Sequence, residues 1–246
     1  MNVLVYGYGL MGKKVAQAIR EDDKMILAGI VSPVFDEEVK EKTFNSLSVC
    51  NVDVDAIIDF SHPNNLDDIL NYALDHHCPL VLATTGYKEE HLKKIEEASK
   101  KIPIFQSYNT SFGVQMLTKI VKMVSKELFD NGFDIEILEK HHNKKIDAPS
   151  GTAKLLYDVI SEDIDSKPVY DRSEVHHRRE REEIGISSMR GGTIFGEHTI
   201  MFAGKDEIVE VKHTALSKEV FAQGALAALK AIYSKEKGLF TLKNLY

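Results

Sequence analysis

Tryptophan is absent from this sequence and cysteine occurs only twice. No apolar run approaches the ~18 residues that cross a bilayer. Cys50 and Cys78 lie in segments of different kinds and share no motif. A disulfide framework is therefore not expected, which fits a reducing compartment. The chain opens straight into a strand, without the charged, apolar and small-residue order of a secretory leader. An excess of positive charge is lacking, 31 Lys and Arg facing 38 Asp and Glu for a net charge of −7, so a polyanion such as nucleic acid is not the expected partner. The basic run His176–Arg181 is interrupted and followed by Glu180, Glu182 and Glu183, and reads as a mixed solvated surface. Metal-ligand spacing is missing too. His141 and His142 are adjacent on an extended chain and point to opposite sides, with no carboxylate or Cys at ligand distance. What remains is the expectation of a cytoplasmic protein of one or two domains, its 43% hydrophobic content sufficient for real cores.

The first half alternates short apolar runs with amphipathic stretches. Asn2–Tyr6, Met25–Val31, Val54–Phe60, Pro79–Ala83 and Ile102–Phe105 read as strands buried on both faces. Lys13–Ile19, Asn65–His77 and Lys88–Lys101 read as the helices between them. This order predicts an α/β, doubly wound parallel sheet of Rossmann type. Gly7-Tyr-Gly-Leu-Met-Gly12 follows the first strand and opens the first helix. In that setting Gly7 suits a tight turn, Gly9 the close approach of a pyrophosphate and Gly12 helix–strand packing. About 20 residues further on, an acid would bind the ribose hydroxyls of NAD. Ser32-Pro33 stands there, the nearest acid is Asp36, and no arginine is present for a 2′-phosphate. NADPH, or use of both NADPH and NADH, is the expectation. Ala83-Thr84-Thr85-Gly86 ends a strand and suits contact with nicotinamide or ribose, although Thr in such a turn also serves local hydrogen bonding.

Ser107–Gly113 is a polar junction, followed by a long amphipathic helix over 114–129. The alternating strands at 133–142, 184–189, 192–202 and 207–213 predict an α+β second domain with a mostly antiparallel sheet, one face covered. The apolar helix from Glu219 to Ile232 is placed back on the first domain. The expected division is 1–111 with 219–246 for the dinucleotide, and 112–218 for substrate binding and oligomerisation.

The most informative stretch is Glu139-Lys-His-His-Asn-Lys-Lys-Ile-Asp-Ala-Pro-Ser-Gly-Thr-Ala153. It leaves a half-buried strand and opens a helix at Ser150. The N–H groups of a helix N-terminus at Gly151 and Thr152 make a cradle for a carboxylate. Lysine adds positive charge beside it, and histidine supplies a group that exchanges protons near neutrality. This reads as a small-anion site equipped for acid chemistry.

The pattern resembles the substrate signature of the 4-hydroxy-tetrahydrodipicolinate reductase (dihydrodipicolinate reductase) family. Gly7–Gly12, Asp59–Ser61, Ala83–Gly86, Asn109–Gly113, Arg190–Thr199, Phe202–Glu207 and Phe221–Leu226 extend the resemblance over essentially the whole chain. The resemblance implies an NAD(P)H-dependent reductase of lysine and diaminopimelate biosynthesis that forms a homotetramer. It implies proton donors at His141 and Lys145, and substrate contacts at His142, Gly151 and Thr152. Dinucleotide contacts are implied at Gly7, Tyr8, Gly9, Leu10, Met11, Gly12, Ala83, Thr84, Thr85, Ser107, Tyr108, Asn109 and Thr110. Ala83 replaces a glycine common there, Thr110 an aromatic or aliphatic residue and Ser32 an acid seen in some members. The last two substitutions bear on the nicotinamide surroundings and cofactor preference rather than on the reaction. Another dehydrogenase on the same frame would have no need of the His-His-x-x-Lys and Ser-Gly-Thr pattern. A non-catalytic dinucleotide sensor would be expected to carry a basic partner-binding module and to have lost His141 or Lys145.

Overall fold

The computed structural model describes residues 1–246 except 36–38, 171, 243 and 246. In chain order its elements are β1 (Asn2–Tyr6), α1 (Leu10–Arg20), β2 (Ile26–Val31), β3 (Thr43–Phe44), β4 (Ala56–Asp59), α2 (Leu66–Asp75), β5 (Leu80–Leu82), α3 (Glu89–Ser99) and β6 (Pro103–Gln106). They continue as α4 (Phe112–Asp130), β7 (Asp134–His141), α5 (Gly151–Ser161), β8 (Lys167–Val169), β9 (Glu183–Arg190), β10 (Gly196–Ala203), β11 (Ile208–Ala215), α6 (Glu219–Ile232) and β12 (Gly238–Phe240). The chain forms two compact units, Met1–Phe112 with Lys218–Tyr246, and Gly113–Ser217.

The first unit is a seven-stranded sheet in the order β12-β6-β5-β4-β1-β2-β3, and every pairing in it is parallel. Helices on both faces explain the unbroken apolar strands: Val3, Leu4 and Val5, like Leu80, Val81 and Leu82, are wholly buried. Each such side chain contributes about 1.5–3 kcal/mol. Helix α1 buries Val15, Ala16, Ala18 and Ile19. Helix α6 is held to it by the pairs Lys14–Glu219 and Lys230–Asp22. The strand order reverses between β1 and β4, and ligands of such sheets bind at the carboxyl ends flanking that point. The short edge strands β3 and β12 carry too few residues for a periodic signal in the sequence.

In the second unit the order is β11-β10-β7-β9-β8. Strand β7 alternates strictly, burying Ile135, Ile137, Glu139 and His141. Its apolar members pack with Ile184, Ile186, Ile200 and Phe202 beneath Leu117 and Val121 of α4 and Ala153, Leu156 and Ile160 of α5. The sheet is evenly mixed rather than mostly antiparallel. β10 pairs antiparallel with β7 and β11, while β7–β9 and β8–β9 are parallel. The reason is the crossover through α5, which returns the chain along the direction of β7. The turn after β9 then reverses it, so that β10 adds to the other side of β7. Residues 192–195, expected to be strand, form that turn, and β10 begins at Gly196. Arg179, expected on a solvated surface, instead donates to Asp134 at 2.6 Å and to the carbonyls of Ile135 and Glu183.

Among the described residues no helix is long and apolar enough to cross a membrane. Cys50 and Cys78 are free thiols.

Candidate active site

Two places carry the residues singled out from the sequence, one in each unit. In the first unit, the loop after β1 turns at Gly7, whose φ of +91° is open to glycine; a Cβ there would lie 2.7 Å from the Phe60 carbonyl oxygen. A Cβ on Gly12 would stand 1.8 Å from the Gly7 carbonyl oxygen, so only glycine lets α1 start this close to the loop. Gly9 is the N-cap of α1, no side chain caps the helix there, and the space where its Cβ would be is empty. Tyr8 is buried against Phe35, and Lys13 Nζ lies over its ring; Leu10 is exposed.

The neighbouring strand ends complete this region. Ala83 and Thr84 are buried and Thr85 is exposed. Thr84 Oγ1 is buried without a hydrogen bond of good geometry. Beside it the wholly buried Asp59 accepts from the Ser61 amide at 3.0 Å and the Tyr87 hydroxyl at 3.2 Å. Burial pushes the Asp59 carboxyl up, against the pull of those hydrogen bonds. In the junction after β6, Ser107 Oγ donates to the Asn109 carbonyl and Asn109 Oδ1 accepts from the Ser111 amide, which fixes the turn, while Tyr108 is exposed. The Thr110 hydroxyl is turned inward to the Phe221 carbonyl at 2.5 Å. Ser32 is buried with Oγ donating to the Val34 carbonyl at 2.9 Å, and Asp36 lies outside the described residues. A bare helix N-terminus, an open glycine and a threonine hydroxyl without a well-aligned partner, all at the carboxyl ends of interior strands, fit a dinucleotide's phosphates and ribose.

The site in the second unit is built around a residue that the sequence reading passed over. Glu139 is wholly buried on β7. Arg190 from β9 grips its carboxylate in bidentate fashion, Nη1 to Oε2 and Nη2 to Oε1, both at 2.8 Å. His141 Nδ1 lies 2.6 Å from Oε2, and the Ser150 amide donates to Oε1 at 3.0 Å. Burial alone would raise this carboxyl, but the bonds from Arg190, His141, Ser188 and the Ser150 amide outweigh it and hold the group at about 2. Burial pushes His141 down, its anion partner pulling the other way. An ionised carboxylate can only accept, so the hydrogen shared with Glu139 Oε2 sits on His141 Nδ1.

Ser150 caps α5: its Oγ accepts from the Ala153 amide at 3.2 Å and meets His198 Nε2 at 3.0 Å. Burial first, then the neighbouring His141, push His198 down to about 3. Gly151 is exposed, with empty space around its missing Cβ, and Thr152 is half-buried at the opening of the helix. His142 Nδ1 is buried and has no hydrogen-bond partner. Lys145 Nζ donates to Asp147 Oδ1 at 2.8 Å, and Arg190 Nη2 reaches the Asp147 carbonyl at 2.6 Å. His141, Lys145 and the amides of the α5 N-terminus thus sit on one connected frame.

Glu139 had a local signal, since two residues apart on an alternating strand means one face. Arg190 and His198 had none, because strand register brings them in: Arg190 stands opposite His141, and His198 opposite Glu139.

A family model described as dihydrodipicolinate reductase, N-terminus, matches residues 1–110, and one described as its C-terminus matches residues 113–246. The 4-hydroxy-tetrahydrodipicolinate reductase of Exiguobacterium sibiricum is 48% identical over 246 residues, all of this chain and 96% of its own. The enzyme of the same name from Staphylococcus carnosus is 46% identical over all of this chain and 99% of its own. A dipicolinate-bound dihydrodipicolinate reductase from Paenisporosarcina sp. TG-14 shares the fold, with a TM-score of 0.83 at 21% identity over 100% of this chain and 99% of that one.

Proposed function

Because this chain belongs to the dihydrodipicolinate reductase family, we propose that it reduces 4-hydroxy-tetrahydrodipicolinate (dihydrodipicolinate) to tetrahydrodipicolinate in diaminopimelate and lysine synthesis. It is an oxidoreductase that uses NADPH, NADH or both. The observation that carries the chemistry is the Glu139–Arg190 pair, which ties His141 and the Lys145 loop to the exposed N-terminus of α5.

In this reading the first unit holds the dinucleotide at Gly7–Gly12, Ala83–Thr85 and Ser107–Thr110. When bound, that group supplies hydride from its nicotinamide C4. The second unit holds the substrate. One carboxylate rests on the amides of Gly151 and Thr152, with His142 and Lys145 beside it, which fixes the ring for attack. Lys145 delivers the proton, and His141 relays or adjusts it. Support for this order is that His141 Nδ1 is taken up by the Glu139 carboxylate while burial pushes the imidazole down, and that Lys145 stands in the loop beside the α5 N-terminus. Ser32, turned into its own loop, offers no acid to the ribose, in keeping with use of NADPH.

We further place the protein in the cytoplasm, where reduced nicotinamide is available and both cysteines stay reduced, and read it as a homotetramer. What supports assembly is β11, an eight-residue edge strand that exposes Ile208 and Val209. Another dehydrogenase activity would leave the 139–152 frame unused, and a dinucleotide sensor would have no need of it.

The test is oxidation of NADPH and of NADH, followed by nicotinamide absorbance, with substrate generated from pyruvate and aspartate semialdehyde by a coupled synthase. Fast oxidation that disappears in Lys145→Ala is expected. Absence of oxidation in a protein that still binds dinucleotide would overturn the reading. Light scattering of the purified protein tests the tetramer.

A further inference from the structure

Besides the bond from Ser188, Glu139 accepts four hydrogen bonds on its two oxygens. Oε1 accepts from Arg190 Nη2 and the Ser150 amide, and Oε2 from Arg190 Nη1 and His141 Nδ1. A carboxylate so filled has no lone pair left for substrate, and its burial keeps it away from any ligand. It cannot act on the substrate itself. It does dictate the state of its neighbour, because an ionised carboxylate only accepts, so His141 Nδ1 must carry the hydrogen.

The other ring nitrogen is left for chemistry. No group among the described residues hydrogen-bonds His141 Nε2, and Gly196 keeps the space beside it clear: a Cβ there would stand 3.1 Å from Nε2. The groups facing the imidazole are Glu139 on its own strand, Arg190 on β9, His198 on β10 and Lys145 from the following loop. Three of the four are cationic, neutral or already committed, so Glu139 alone selects the tautomer. The same carboxylate anchors the α5 N-terminus through Ser150. Through Arg190 and the Asp147 carbonyl it also steadies the loop that bears Lys145.

Resting on the reductase reading above, we propose that Glu139 is the positioning residue of this site. It holds His141 as the neutral Nδ1–H tautomer with Nε2 open as a proton acceptor, and Arg190 locks it in that task. His141 then returns the proton lost by Lys145 rather than giving the first one. The proton moves from Lys145 Nζ to the ring as hydride arrives, and Nε2 takes up a solvent proton and passes it to the Lys145 amine. The balance is one proton and one hydride into the substrate.

The test begins with the unaltered protein. Histidine-labelled 15N solid-state spectra at pH about 7.5, with His141 assigned from its loss in His141→Asn, report which ring nitrogen is protonated. The expected result is the Nδ1–H form; an Nε2–H form or an imidazolium would overturn the proposal. Glu139→Gln turns an amide N–H₂ toward Nδ1, so the hydrogen should move to Nε2. In that variant kcat should fall roughly 10- to 1,000-fold, less than the roughly 10²- to 10⁴-fold that a proton-transfer group itself contributes, with KM within about threefold. Glu139→Asp keeps the anion and should restore the tautomer and part of kcat. An unchanged tautomer in Glu139→Gln, or equal losses in kcat for the Gln and Asp variants, would overturn the proposal. The spectra need no turnover, so a wrong substrate assignment and a wrong role for Glu139 give different results.

Discussion

At residues 7–12 the working surface is backbone: a positive φ, a helix start without a side-chain cap and two positions where a Cβ would collide. At residues 139–152 it is side chain: a buried carboxylate, a guanidinium, two imidazoles and an ammonium joined by hydrogen bonds. Phosphate is a large, symmetric anion that N–H groups and a helix dipole can hold in many chemical contexts. A ring undergoing proton and hydride transfer needs individual atoms in defined protonation states. The first region therefore fails when atoms are added, and the second when charge or hydrogen placement is altered.

The sharpest test of that contrast is Lys145→Ala. Loss of the donor should lower kcat by roughly 10²- to 10⁴-fold and move KM by no more than about threefold; comparable changes in both would give Lys145 a binding role only. Gly12→Ala comes next, its Cβ forced against the Gly7 carbonyl oxygen. Overpacking strain of about 1–3 kcal/mol should weaken NADPH in a fluorescence titration while kcat at saturating cofactor stays within about threefold. Unchanged affinity would show that the loop is not the dinucleotide cradle. Thr152→Ala keeps the amide of the cradle but removes a hydroxyl beside it that we assign as a further donor to the carboxylate; KM should rise by about tenfold, the worth of one hydrogen bond to a charged group, with kcat spared, and a fall in kcat alone would place Thr152 in the chemistry instead.

Acid stability probes the side chains of the second region more gently. His198 is held at about 3 in the folded protein by burial and by His141, against its ordinary 6.5. The unfolded chain gains the proton first. Its contribution is present above pH 6.5 and is lost as the pH falls toward 3, by up to about 1.4 kcal/mol per pH unit. Glu139 is held at about 2 against its ordinary 4.5, so its contribution begins to fade only below pH 4.5. Urea midpoints compared at neutral pH and near pH 5 should show this loss, and His198→Asn should flatten it; parallel curves for both proteins would reject the assignment. The smallest effect belongs to the exposed pair Lys94–Asp67 at 2.7 Å. Lys94→Ala should shift stability by less than about 0.5 kcal/mol in the same denaturation experiment.

Legibility followed range along the chain. The five central strands of the first unit were readable because burial on both faces writes continuous apolar runs, as in Val3–Val5 and Leu80–Leu82, whereas β3 and β12 were not. Ser150 was readable as the start of α5 because capping is local, and its Oγ does accept from the Ala153 amide. The sheet of the second unit was only half readable. Alternation marks β7, but the same alternation serves parallel and antiparallel neighbours, and the crossover through α5 decided which. Thr110 shows the opposite limit. Only the family resemblance pointed to it, and its hydroxyl is taken by the Phe221 carbonyl, 111 positions away.

Spacing within a few residues was enough to set the glycine turn after β1, the periodicity of the longer elements and the capped helix start at Ser150, because backbone conformation is local. Long-range packing was needed to bring Glu139 to Arg190, 51 positions away, and Ser150 to His198, 48 positions away. Those pairs depend on the register of β7 with β9 and β10. The packing of one covered sheet face fixes that register, since a slip by one residue would turn Glu139 and His141 out to solvent.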